Sequence, residues 1–159
     1  MKYISLTLIS ACLYSCSTNI ANNNIEIIIE DAHSYRYDLK HKVAVTFFVN
    51  KEPAESHFTL SPEENAAIVE RYFALRLNKI GDSIFFKDKC RYMPKMYTTL
   101  IIRSGQTVQK IIIDSDCSKF YSADMPAANR VNSFLNFVWS ILRKKPEISD
   151  MPKSDILYL

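Results

Sequence analysis

The sequence predicts an α+β fold: an antiparallel sheet of about five to seven strands with two amphipathic helices packed on one face. Three observations carry this. Short runs within residues 25–60 alternate with period two. Two later stretches, 62–80 and 128–142, repeat apolar residues at spacings of three and four. The order along the chain is strands, helix, strands, helix.

The first strands are legible by alternation. In "IEIIIE" Ile25, Ile27 and Ile29 share one face, and Glu26, Ile28 and Glu30 share the other. Tyr35, Tyr37 and Leu39 stand opposite Ser34, Arg36, Asp38 and Lys40. Val43, Val45, Phe47 and Val49 line one side of the next run, and "NKEP" at 50–53 signals a turn. "SHFTL" predicts one more strand, with Ser56, Phe58 and Leu60 together.

The first helix announces its start. Ser61 is a good N-cap, Pro62 suits the first helical position, and Glu64 completes a capping box. Val69, Phe73, Leu77 and Ile80 form the apolar stripe, widened by Ile68, Tyr72 and Leu75. This spacing predicts a helix ending at Gly81, with Phe73 buried against the sheet. "SIFF" is a short strand, followed by a polar connection that carries Cys90.

Residues 97–113 read as two strands around Ser104 and Gly105, a hairpin. Its loop holds two or three residues, and the register differs between the two cases. Residues 114–128 are irregular. Ala128, Val131, Leu135, Val138 and Leu142 then define a second helix that ends before Pro146. Leu135 belongs to its buried face. The tail from Glu147 on is expected to lie loosely on the surface.

The amino terminus has its own grammar. Lys2 is the only charge before Glu26, and Tyr3 to Tyr14 are mostly apolar. A run of about 12 is too short to span a bilayer, which needs roughly 20 apolar residues. A positive start, a short apolar region and small residues follow the order of a secretory signal peptide. The alternative is an N-terminal helix packed on the domain.

Leu13-Tyr14-Ser15-Cys16 resembles the lipobox of bacterial lipoproteins, with Cys16 as the lipid acceptor. Ile9-Ser10-Ala11-Cys12 matches the pattern more closely residue for residue but leaves a shorter apolar run, so Cys12 is the reserve. The resemblance implies a membrane partner reached through a lipid anchor. Ser17 resembles the residue that lets such proteins leave for the outer membrane, and "TNIANNN" carries no acid. The expected location is therefore the outer membrane, facing the periplasm. Residues 1–15 are then the signal, 16–24 the lipidated cysteine and polar tether, 25–145 one domain and 146–159 a surface tail.

Composition narrows the function. Removing 1–15 leaves 144 of the 159 residues, enough for one core, and removes one positive charge from a net +3. A balance near +2 gives no reason to expect nucleic acid as a partner. Gly81 and Gly105 are the only glycines, which excludes phosphate-cradling loops and leaves no cofactor to expect. Cys90 and Cys117 are the only cysteines beyond residue 16, and in an oxidising compartment they read as a disulfide. They flank the hairpin, so a bridge would clamp its open end, worth roughly 3 kcal/mol. The alternative is a reactive thiol or a metal pair, but no CxxC occurs and no histidine stands near either cysteine.

Other chemistry is sparse. His33, His41 and His57 lack the spacing of a zinc site. "EDAH" at 30–33 reads as a solvated bend between strands. Asp114 and Asp116 of "DSDC" fall short of a calcium loop, and no G-x-S-x-G elbow occurs. No catalytic or metal-binding residue is therefore expected.

The order "FTLSPEE", helix, cysteine, "YTTLII" with a turn glycine, and closing helix resembles small uncharacterised bacterial envelope lipoproteins over residues 25–145. That resemblance brings no catalytic residues. The tyrosines and phenylalanines of 35–48 and 72–97 are either core or a sticky uncovered sheet face suited to a protein partner. The expected function is a non-catalytic binding or accessory module, of an inhibitor or immunity type. The competing classes are an enzyme with a dispersed site and a passive structural component of the envelope.

Overall fold

Ile25–Asp31 forms strand β1, at the centre of a seven-stranded sheet. Three consecutive isoleucines there are buried on both faces of the pleat, which is what a central strand requires. The computed structural model describes residues 25–91, 95–114 and 117–156. Cys12 and Cys16, with the whole proposed signal and tether, lie outside the described residues.

β2 (Tyr35–Asp38), β3 (Val43–Thr46) and β4 (Ala54–His57) continue from β1 as an antiparallel meander. Helix α1 (Pro62–Ala74) and a short 3-10 turn (Leu77–Lys79) then carry the chain across to the opposite edge. There β5 (Ser83–Phe86) lies parallel to β7 (Thr107–Asp114). β6 (Tyr97–Ser104) pairs with β1 on one side and β7 on the other, antiparallel to both. The strand order is β4-β3-β2-β1-β6-β7-β5. The sheet is therefore mixed and not purely antiparallel as expected. Short connections make β1 to β4 and β6–β7 antiparallel, β6 also pairs antiparallel with the distant β1, and β5 enters from a helical crossover that delivers it parallel to β7.

Helix α2 (Met125–Leu142) packs with α1 on one face, and a four-residue helix α3 (Pro146–Ser149) follows it. The core joins Ile27, Ile29, Tyr37, Leu100, Ile111 and Ile113 of the sheet to the two helices. The α2 stripe is as expected: Ala128, Val131, Leu135, Val138 and Leu142 are all buried.

α1 differs from expectation in two ways. It ends at Ala74, where Arg76 takes a left-handed φ of 53°, well before Gly81. Its buried residues are Ile68 and Tyr72, and Phe73 is only partly buried at the margin. The physical reason lies opposite, on β7. Gln109 is buried, and its Oε1 accepts from the Tyr72 hydroxyl at 3.2 Å. Its Nε2 donates to the carbonyls of Leu77 (2.9 Å) and Gly81 (2.8 Å). This one amide ties the 3-10 turn, Gly81 and the Tyr72 hydroxyl to β7, and so holds the Tyr72 side of α1 toward the sheet.

The β6–β7 hairpin has a two-residue loop, with Ser104 opposite Thr107. Gly105 has φ +61° and Gln106 does not share a positive φ, as in a turn with glycine at its first central position. β4 lies earlier than the expected 56–60: it begins at Ala54 and ends at His57, and Phe58 and Leu60 lie beyond it, both buried. The carboxyl-terminal segment is held, not loose. Thr46 Oγ1 donates to the Pro152 carbonyl (3.3 Å), Ser154 Oγ to the Phe47 carbonyl (2.6 Å) and Val49 N–H to Asp155 (2.9 Å).

Candidate functional site

Three places outside the core gather chemistry. The first is the corner closed by the disulfide. Cys90 and Cys117 are bonded, 27 residues apart in sequence and 6.0 Å apart at Cα. Tyr97 opposite Asp114 is the last pair of the hairpin, so the bridge sits at its open end, away from Gly105. The Lys89 N–H donates to the Lys119 carbonyl (2.7 Å), and Asp88 bridges Phe120, so the two flanking segments run side by side.

Asp114 does not face an external cation. It is fully buried and pairs with Lys95 Nζ at 3.5 Å, while Asp88 pairs with the same ammonium. The hydrogen bond to Asp88 above all holds the Lys95 ammonium protonated above its ordinary range, with Asp114 adding to it against desolvation. Asp116 lies outside the described residues. Both described acids of this corner are thus spent on Lys95. Lys87, Lys89, Arg91 and Lys119 stay exposed with no acid partner among the described residues. Beside them, Phe85 is 46% and Tyr121 51% exposed. Phe85 meets Tyr97 edge to face at 5.2 Å, and Lys89 Nζ stands 4.9 Å above the Tyr121 ring. A groove of about 260 Å³ runs among Phe85, Lys87, Tyr97 and Tyr121.

The second place is the sheet face turned away from the helices. Register puts Val43, Val45, Arg36, Asp38, Ile28 and Ile101 there, and among the described residues no helix packs over them. The valines of β3 face this side, and Ala44 and Thr46 face the core. The aromatics divide between the two faces: Tyr35 and Tyr37 turn toward the helices, Tyr37 against Trp139 at 5.0 Å, whereas register through Ile112, Thr99 and Glu30 puts Phe85, with Tyr97 beside it, on this uncovered side. A groove of about 450 Å³ lies here, with Asp38 and His41 at its rim. Asp38 accepts from the His41 N–H (3.0 Å) and pairs with its Nδ1 (2.8 Å). Burial pushes the Asp38 carboxyl up, but these bonds and the imidazole charge outweigh it and hold it below the usual carboxylate range.

Glu26, Asp38 and His41 place one potential metal-ligand atom each within 4.8 Å of one another. Each already has a local partner. Glu26 accepts from Arg103 Nη1 at 2.9 Å, and Asp38 caps the turn that holds His41, which is 59% exposed. The cluster was invisible in the sequence because strand register, not spacing, assembles it. His33 sits exposed in the β1–β2 turn at φ 61°, and His57 is exposed on β4. Glu30 and Asp31 point to opposite faces, so "EDAH" forms no site.

The third place is a cavity of about 310 Å³ between α2 and the β1–β2 end of the sheet. Asp31, Tyr37, Asn132, Trp139 and Arg143 share its wall. Burial first, then the Asp31 charge, pushes the Tyr37 phenol well above its ordinary range, so it stays neutral. Nothing in the sequence pattern marked this place, because its α2 residues are the polar margin of an apolar stripe.

No family model, no curated protein and no solved structure matches this chain. No described helix is long and apolar enough to cross a membrane.

Proposed function

We propose that this is a lipid-anchored, non-catalytic binding module of the bacterial cell envelope, held at the outer membrane through Cys16 and presenting its domain to a protein partner. The observation that supports it is the disulfide-clamped corner, where Phe85, Tyr97 and Tyr121 stand among Lys87, Lys89, Arg91 and Lys119. Exposed aromatics beside unpaired cations are the composition of an interface core and its rim. The bridge and the Lys95 pairs fix that surface in place, so little freedom is lost on docking. An inhibitor or immunity role fits a small rigid domain of this kind. The enzyme reading would fall on Asp38 and His41, whose mutual bonds close a turn. A passive structural role gives the exposed rings no task.

The test is cross-linking followed by pull-down from membranes with the wild-type chain, Phe85→Ser with Tyr121→Ser, and Cys16→Ala. The expected result is one enriched protein with wild type, lost with the double variant. The Cys16→Ala form should move to the soluble fraction. Release by Cys12→Ala instead would reassign the anchor, and release by neither would remove it. A partner retained by the double variant would displace the interface from this corner.

A further inference from the structure

The cavity beneath α2 carries a ligand chemistry of its own. Asn132, Asn136, Trp139 and Arg143 follow at spacings of four, three and four, so they stand in one line along the helix. Across from them β1 and β2 supply Asp31 and Tyr37. One buried polar atom in this wall lacks a partner, and one exposed cation at its rim has no acid beside it among the described residues. Asn132 Oδ1 is buried and accepts no hydrogen bond, a state that natural interiors avoid. Asn132 lines the cavity, and the torsion that carries this oxygen is broad and soft. Arg143 is exposed at the end of α2 and has no acid partner among the described residues. Asp31, which accepts from Thr98 Oγ1 at 3.1 Å, adds a second acceptor on the sheet side. Leu135, Met96, Ile148 and the edge-on pair of Tyr37 and Trp139 give the wall its apolar part, with Asn136 at its polar margin.

One small molecule meets all of this: a carboxylate for Arg143, an ammonium for Asn132 and Asp31, and an apolar body against the rings. We propose that this cavity binds a free α-amino acid with an apolar side chain, as its zwitterion. A volume of about 310 Å³ suits such a ligand and falls at the small end of ligand pockets. Burying the ligand's ammonium is tolerable only beside acceptors of this kind. The site lies on the helix side of the sheet, so it stands or falls independently of the docking corner.

Trp139 is the only tryptophan in the chain, so its emission reports the cavity directly. The full-length chain in detergent is titrated with leucine, methionine and phenylalanine. Leucinamide, which lacks the carboxylate, and N-acetyl-leucinamide, which lacks both charges, are the controls. Saturation-transfer NMR on the same samples reads binding that leaves emission unchanged. Saturable binding of at least one amino acid at about 1 mM or tighter is expected, weakened about tenfold or more by Arg143→Gln and by Asn132→Leu. Arg143→Gln changes an exposed side chain and preserves the fold. No binding by either method, equal binding of N-acetyl-leucinamide, or an unchanged affinity in Arg143→Gln would each overturn the proposal.

Discussion

Asp114 shows how a single residue changes meaning between chain and fold. In sequence it is one of two acids in "DSDC", exposed to any cation. In the fold it is sealed, with the Lys95 ammonium as a countercharge. A buried carboxylate is tolerated only with such a partner, and nothing local to residue 114 announces a lysine nineteen positions earlier. Burial of large apolar residues was easier to read. Leu135 is 1% exposed, and Leu135→Ala should cost about 2–5 kcal/mol by urea denaturation. Phe73→Ala should cost less than half as much, because much of its ring borders solvent and packs on Tyr72 at 5.1 Å. Equal losses would return the α1 face to Val69 and Phe73.

At the scale of elements, the ends of α1 repay attention. Ser61 and Glu64 form the expected capping box: Glu64 N–H donates to Ser61 Oγ and Ser61 N–H to Glu64 Oε2. Lys145, from beyond α2, donates to both Glu64 oxygens at 2.8 and 2.7 Å. The lysine first, then the Ser61 N–H, hold the Glu64 carboxyl below its ordinary range. A depressed folded pKa stabilises fully above the unfolded value, about 4.3, and that stabilisation fades as pH falls through the folded one. Glu64→Gln should therefore be less stable than wild type at pH 7, and the gap should shrink below about pH 5, read as urea midpoints. The hairpin offers a second test. Reducing Cys90–Cys117 should cost about 3–4 kcal/mol by the chain-entropy estimate and lower the melting temperature. Intact mass after alkylation of the native protein should show no labelled thiol at either position; two labels would remove the structural bridge. Period and capping made both helices and most strands legible. The direction of β5 was not, since it depends on where a helical crossover delivers the chain. Nor was the rotation of α1, which one amide on β7 decides.

For the whole molecule, the sheet and its tail form one unit. Ile148 and Met151 pack against the core, and the last described residues bond to β2, β3 and the loop after it. Prolines and polar residues hid this, because the bonds that hold the segment come from positions more than a hundred residues away. Deleting residues 150–159 should lower stability by about 1–3 kcal/mol, the net of a few mostly part-buried hydrogen bonds and one apolar contact against the entropy of ordering the segment. Thermal melts check this, and an unchanged midpoint would make the tail a bystander.

The place of β1 in that sheet has a consequence in time. Ile28 pairs with Asp38 on one side and with Ile101 on the other. A chain leaving the ribosome amino end first shows "IEIII" long before β6 exists to cover its second edge. Such pairings between distant segments are slow to form, and an apolar β-branched window left open invites other copies. Glu26 and Glu30 flank the three isoleucines and act as gatekeepers during that wait. Their charge is useful before the fold is complete, when no Arg103 yet stands opposite Glu26.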